Sequence, residues 1–318
     1  MDLIKLKQTH EGTGYFGINW ALTNVCNYRC SYCHPDLHNG SIKPPSLDKI
    51  YRFIDNTFKF CGERNVKPYF EFGGGEVTYL SWFSKVLARI HQKNGLVSII
   101  SNASSPLTWW SNNISMLHSV SLSFHYEQIK SKEHFIAVAK IAVGSPSTRL
   151  QVNIMMLPSR FSECLLFAVE LRERVNCGIS LQPLYHGFGS GGISSRFEYT
   201  EDQEHIMANF CGNQIIKCIP DPRGSLDVVN LYGIEERKST FELLVNQQTN
   251  FIGWHCNAGI ENIIITFEGD IYRAWCMQDE PIGSLYDETL NLPKKSTLCR
   301  TEICQCGPDI CSSKSRYA

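Results

Sequence analysis

The sequence predicts an α/β fold: a partial (βα)6 barrel followed by a small cysteine-rich C-terminal domain. Two observations predict the barrel. From residue 16 to about 185, short β-rich runs alternate with longer amphipathic stretches, and turn signals separate them. A third observation predicts the appendage, since six of the 14 cysteines lie between Cys256 and Cys311.

The strands fall at 16–25, 67–72, 96–101, 119–124, 150–156 and 178–184, and the helices near 46–60, 79–93, 108–117, 130–143 and 160–175. Ser46 stands where the first helix needs an N-cap, and Asn94-Gly95 stands where the second must stop. In such sheets the chemistry sits at the carboxyl ends of the strands. After residue 184 the rhythm breaks. Residues 186–195 are Gly/Ser-rich and read as a loop. Residues 196–253 are polar, with helical stretches at 200–210 and 238–247. The expected organisation is a barrel over 1–185, a linker and substrate-proximal insertion over 186–253, and a tail domain over 254–318.

Composition narrows the function classes. With 43% hydrophobic and 19% charged residues in 318, a packed core is expected. The 30 Lys and Arg nearly cancel the 31 Asp and Glu, so a broad cationic face for nucleic acid is not supported. The first residues lack the apolar run of a signal peptide, and no stretch approaches the roughly 20 apolar residues that cross a bilayer. A cytoplasmic location with no membrane partner is expected. In a reducing compartment, clustered cysteines point to metal or redox chemistry. The scattered Cys61, Cys164, Cys177, Cys211 and Cys218 read as small buried hydrophobes.

Directly after the first strand, Cys26, Cys30 and Cys33 stand in a C-x3-C-x2-C array. A loop this tight brings three thiolates to three corners of one cubane and leaves the fourth iron open for a chelating cofactor. A zinc site would take a fourth ligand, which His34 or His38 could supply. The second strand closes on Phe70-Glu71-Phe72-Gly73-Gly74-Gly75-Glu76. Glycines there expose backbone at the strand end, with Glu76 adding a charge or a structural hydrogen bond.

The triplet and the glycine-rich strand end resemble the paired motifs of the radical S-adenosylmethionine superfamily over residues 16–185, although Val77 replaces the proline usual after the glutamate. The resemblance implies a [4Fe–4S] cluster on Cys26, Cys30 and Cys33 whose open iron is chelated by S-adenosyl-L-methionine. It further implies reductive cleavage to a 5′-deoxyadenosyl radical that abstracts a substrate hydrogen. By position, Tyr32 matches the residue whose backbone contacts adenine, and Gly74, Gly75 and Glu76 match the motif beside the methionine ammonium. Asn102, Ser123 and His125 close the third and fourth strands, where the family contacts the carboxylate and ribose. Asn153, Met155 and Gln182 lie one step further out.

The tail is similar to the twitch or SPASM-type extensions of that superfamily, which bind auxiliary [4Fe–4S] clusters. Two short strands around Glu268-Gly269-Asp270 form a hairpin expected to bring Cys256 and Cys276 together. Six cysteines are too few for two fully cysteine-ligated clusters, so one auxiliary cluster is expected. Its ligands are Cys256 and Cys276, with the others drawn from Cys299, Cys304 and Cys306, and Cys311 placed last. A structural zinc site is the rival reading.

The resemblance therefore implies an oxidoreductase that dehydrogenates a small molecule, fed by an external one-electron donor such as a flavodoxin or ferredoxin. Epimerisation or crosslinking of a ribosomally made peptide is the alternative. Only 15 residues precede the first predicted strand, too few for a leader-peptide-binding domain, and this favours the small molecule. A non-catalytic iron–sulfur protein would not need the Gly-Gly-Glu strand end, and a zinc-binding interaction module would be free of iron.

Overall fold

In the computed structural model, which describes residues 3–9, 14–186, 195–210, 225–304 and 306–316, secondary structure begins with β1 (Leu3–Gln8). There follow β2 (Tyr15–Thr23), α1 (Leu47–Glu63), β3 (Lys67–Gly74), α2 (Phe83–Gln92), β4 (Leu96–Ser101) and α3 (Leu107–Asn113). Next come β5 (Ser119–Phe124), α4 (Lys132–Gly144), β6 (Arg149–Met155), α5 (Phe161–Arg174) and β7 (Gly178–Gln182). The remainder holds α6 (Glu201–Asn209), β8 (Leu226–Asn230), β9 (Glu235–Lys238), α7 (Thr240–Val245), β10 (His255–Cys256) and β11 (Asn262–Ile265). It ends with β12 (Asp270–Tyr272), β13 (Gly283–Ser284), β14 (Thr297–Leu298), α8 (Gly307–Cys311) and β15 (Lys314–Ser315).

Strands β2 to β7 pair in parallel in sequence order, each joined to the next across a helix, as the alternation predicted. Side chains alternate across a strand, so Phe16, Ile18, Trp20 and Leu22 of β2 point outward into the helix layer and are buried. Trp20 meets Phe53 of α1 edge-on at 5.3 Å between ring centroids. The other face of β2, with Gly17 and Asn19, looks into the barrel lumen. Helix α2 ends as expected, with Asn94 in the left-handed region at φ 61° just before Gly95. Ser46 occupies the N-cap of α1, but its side chain makes no capping hydrogen bond.

The sheet does not stop at six strands. Strand β11 lies parallel beside β2, in register from Asn262 opposite Gly17 to Ile265 opposite Trp20, and β12 and β13 continue the edge antiparallel. The predicted tail hairpin therefore exists, but it is built into the barrel sheet. Ile263, Ile264 and Ile265 are fully buried, and Gly17 makes room, because a Cβ there would come within 3.2 Å of the Asn262 Cβ. A second sheet, ordered β14-β10-β15-β1-β8-β9, carries its own core. Leu3 and Leu6 of β1 pack there with Leu226, Val228 and Phe251. Sequence periodicity is local, so it gave no sign that residues 3–8 belong with the tail.

Cys61, Cys164 and Cys177 are buried as expected, and burial pushes the Cys61 and Cys177 thiols up to about 12. Cys211 and Cys218, and most of the predicted 186–195 loop, lie outside the described residues. Among those described, no helix is long and apolar enough to cross a membrane.

Because β11 completes the barrel, Ile263→Ala should lower the stability of barrel and tail together, by about 2–4 kcal/mol as expected for a buried large-to-small change. Urea unfolding followed by barrel tryptophan fluorescence and far-UV dichroism checks this. A barrel transition unmoved by the substitution would show that the tail folds apart from it.

Candidate active site

The cysteine loop begins where β2 ends and is pinned at its start. Gly75 N–H donates to Thr23 O at 2.6 Å and Glu76 N–H to Val25 O at 2.8 Å, so the ends of β2 and β3 touch through backbone alone. Only glycine permits this approach. A Cβ on Gly75 would lie 2.2 Å from Val25 O, and one on Gly74, which sits at φ 107°, would lie 2.4 Å from Thr23 O and 2.7 Å from the Phe267 ring. The glycines are therefore required first by strand and tail packing. The sequence reading, in which they leave space beside the methionine ammonium, missed this cause.

Glu76 is 1% exposed, and its role in the fold is structural. One carboxylate oxygen accepts from Thr78 N–H (3.1 Å), Thr78 Oγ1 (2.6 Å) and Ser101 Oγ (2.9 Å), and the other from Asn102 N–H (2.6 Å). Burial raises its pKa, while these donors oppose the rise. Through Glu76, the end of β3 fixes the end of β4. Asn102 in turn reaches the cysteine loop, with Nδ2 donating to Asn27 Oδ1 at 3.0 Å and lying 3.9 Å from Cys26 Sγ.

The other side of the loop rests on the ends of β5, β6 and β7. Tyr28, Cys30 and Tyr32 are buried against Met155, Leu157 and Leu184. His125, just beyond β5, stacks on Tyr32 at 5.9 Å; its Nδ1 lies 2.6 Å from the Tyr32 hydroxyl and 3.4 Å from Cys30 Sγ. Burial holds the His125 imidazole down at about 4. Glu127, which the sequence reading did not single out, anchors the loop by accepting from Ser31 N–H and Ser31 Oγ. Ser123 lies on the lumen face of β5. Tyr32, Asn102 and His125 thus touch the cysteine loop or lie within it, Gly74, Gly75 and Glu76 pin its start, and Ser123 stands at the carboxyl end of β5 with no hydrogen bond to the triplet among the described residues.

The donor set fits an iron–sulfur cluster. Cys26 Sγ accepts from Tyr28 N–H at 3.4 Å, and burial raises its thiol. A hydrogen bond from Cys30 lowers Cys33, while the same contact raises Cys30. Among the described residues, no three His, Cys, Asp or Glu groups converge on a single-ion site. A cubane does not require such convergence, since each thiolate takes a different iron.

Inside the barrel the lumen is polar. Asn19 Nδ2 donates to Glu71 at 2.7 Å, and Asn153 bridges Ser121 (2.9 Å) and Ser180 (2.8 Å). Trp275, next to Cys276, sends its indole N–H to Asn19 Oδ1 at 2.9 Å and so joins tail to lumen. The lone acid in Phe70-Glu71-Phe72 was the available sequence signal for this lumen; Asn19 and Trp275 gave none.

The tail forms one pocket lined by Cys256, Cys276, Cys299, Cys304 and Asp309. Cys306 does not line it. It precedes α8, where burial raises its thiol and the charges facing it are Asp309, Cys304 and Glu71. Cys311 is buried within α8 and faces the lower lumen beside Asn19 and Glu71. Asp309 Oδ2 accepts from Trp275 N–H at 2.9 Å, while its buried Oδ1 has no hydrogen-bond partner at ordinary distance among the described residues. Four thiols line one pocket with that carboxylate oxygen beside them, an arrangement that suits a multi-iron cluster rather than one ion, because no three such ligands among the described residues converge on a single-ion site.

Comparison with known proteins gives short sequence matches and one likeness of fold. No protein-family profile matches the chain. A GTP 3′,8-cyclase of Vibrio cholerae is 27% identical over 89 residues, 27% of this chain and 25% of that protein. One from Actinobacillus pleuropneumoniae is 30% identical over 92 residues, 27% of this chain and 24% of that protein. The chain thus spans about a quarter of the length of the curated relatives it matches. Streptococcus suis SuiB, solved bound to precursor peptide SuiA, superposes with a TM-score of 0.51 at 11% identity, over 87% of this chain and 64% of that one. This last likeness is one of fold.

If Glu76 ties β3 to β4, Glu76→Ala should cost about 3 kcal/mol or more, because it strands several buried donors. Glu76→Gln should cost roughly half as much, about 1–2 kcal/mol, by turning an amide NH2 toward a donor. Chemical denaturation of both variants measures this, and a Glu76→Gln protein as stable as the parent would remove the carboxylate from that role.

Proposed function

We propose that this chain is a radical S-adenosylmethionine enzyme that oxidises a small polar molecule by hydrogen abstraction. The observation that carries the reading is the docking of the three-cysteine loop on a glycine-rich strand end at the carboxyl edge of a parallel sheet. Cys26, Cys30 and Cys33 would hold a [4Fe–4S] cluster with one open iron, and Cys256, Cys276, Cys299 and Cys304 an auxiliary cluster. When bound and reduced, the first cluster supplies the electron that cleaves S-adenosyl-L-methionine to a hydrogen-abstracting radical.

The chain's own residues would then divide the work. Tyr32 and His125 close one wall against the cofactor's adenosine, and Asn102 and Ser123 present polar groups to its carboxylate and ribose. The exposed backbone after β3, at Gly74 and Gly75, faces the methionine ammonium. Substrate lies below, in the lumen. Amides and hydroxyls of Asn19, Asn153, Ser121 and Ser180, with one carboxylate from Glu71, suit hydroxyl or amine groups and offer no cation for a phosphate. Trp275 links this lumen to the tail pocket, which suits a tail cluster that takes the electron left on an oxidised substrate. The first electron comes from an external donor such as a flavodoxin or ferredoxin.

Anaerobic reconstitution should load about eight irons, and replacing Cys26, Cys30 and Cys33 by Ala should remove about four. A triple variant with undiminished iron and an unchanged visible spectrum would sink the assignment.

With dithionite and S-adenosyl-L-methionine, the parent should release 5′-deoxyadenosine. Cys276→Ala should lower product formation more than this cleavage, because the tail pocket acts only after hydrogen abstraction. Equal losses of both, measured as the ratio of product to 5′-deoxyadenosine, would make the tail scaffolding.

A further inference from the structure

Lys314 is an unusual residue for a protein interior. Its side chain is buried, with the residue 3% exposed, on the two-residue strand β15, directly opposite Cys256 of β10 in antiparallel register. The three protons of an ammonium group have three acceptors, Asp309 O at 2.5 Å, Ser312 O at 2.9 Å and Ile310 O at 3.3 Å. The Phe251 ring stands 5.1 Å from the ammonium nitrogen and is itself buried. No carboxylate lies within ion-pairing distance of Lys314 among the described residues. A buried cation held only by neutral carbonyls is costly. The charges that do face it are Cys256, Cys304, Asp309 and Cys311, and the first three line the tail pocket or, like Asp309, stand beside its thiols.

We infer that Lys314 is the built-in countercharge of the auxiliary cluster, raising its reduction potential so that it can accept an electron. This rests on the reading of the tail pocket as an iron–sulfur site. An iron–sulfur cube held by four thiolates is an anion, and each added electron makes it more negative. A fixed cation one strand away stabilises the reduced form more than the oxidised one. Net charge and burial are among the levers that set such potentials. The three carbonyls keep the ammonium in place in both states, so the field at the cluster does not change with loading. Around the triplet the described residues include no buried lysine, and the cation that faces Cys26 is the exposed Arg29, so the fixed buried charge belongs to the tail site alone.

The test is a potentiometric titration of the anaerobically reconstituted full chain, followed by electron paramagnetic resonance. The barrel cluster is identified by its response to S-adenosyl-L-methionine. Lys314→Gln keeps an amide to donate to the carbonyls but removes the charge, and should make reduction of the tail cluster at least tenfold less favourable, a 59 mV fall for a one-electron couple, with the barrel cluster unmoved. Lys314→Arg should stay close to the parent. Loss of the tail cluster from Lys314→Gln but not from Lys314→Arg would likewise support the countercharge. An unchanged potential in Lys314→Gln, or loss of the tail cluster from both variants, would overturn it. A parent protein with no second cluster would instead overturn the underlying reading of the pocket.

Discussion

The arrangement of the site depends on one close approach of backbone to backbone. The carboxyl ends of β2 and β3 meet through Gly75 N–H on Thr23 O and Glu76 N–H on Val25 O, with no side chain between them. This contact fixes where the cysteine loop leaves the sheet. Glu76, held by that contact, turns its carboxylate under the end of β4 and places Asn102 against the loop. The far side of the loop then falls on His125 and on the apolar ends of β6 and β7. The tail takes part as well, since Phe267 fills the space a Gly74 side chain would need.

Much of this was legible in the sequence, because it is written in local patterns. Strands β2 to β7 follow from alternation, though the seventh parallel strand, β11, does not, and the candidate site follows from two motifs at consecutive strand ends. Asn102 and His125 were singled out because they close strands, where a parallel sheet places its chemistry, and Tyr32 because it precedes the third cysteine of the triplet. Partnership between distant segments was not legible. Residues 3–8 look like any short strand, yet they pair with β8 and β15. The 262–265 run reads as half of a hairpin, and nothing in it says that its other edge belongs to β2. Lys314 gave no signal either, since a lysine near the end of a polar tail reads as surface.

The tail cysteine field is joined to the barrel lumen. Asp309 beside the tail thiols holds the Trp275 backbone, the Trp275 indole holds Asn19, and Asn19 holds Glu71 on β3. A molecule resting on the lumen amides would therefore lie between the triplet above and the tail pocket to the side. Positioning from both directions depends on the same inward faces of β2 and β3, so substitutions there would be felt at both centres.

The placement of β1 has a consequence for how the protein is made. Gln8 N–H and Ser313 Oγ bond across 305 positions, and β11 meets β2 across a gap nearly as long. Neither contact can form until the later of its two segments has been made, and loop closure over such distances slows folding. During translation the emerging barrel carries β2 as an open sheet edge, a surface prone to pairing with other chains. Its protection comes only when residues 262–265 leave the ribosome. The tail pocket and the covered edge of β2 thus form late, after all six predicted barrel strands have emerged, whatever the order of the cysteines in the gene.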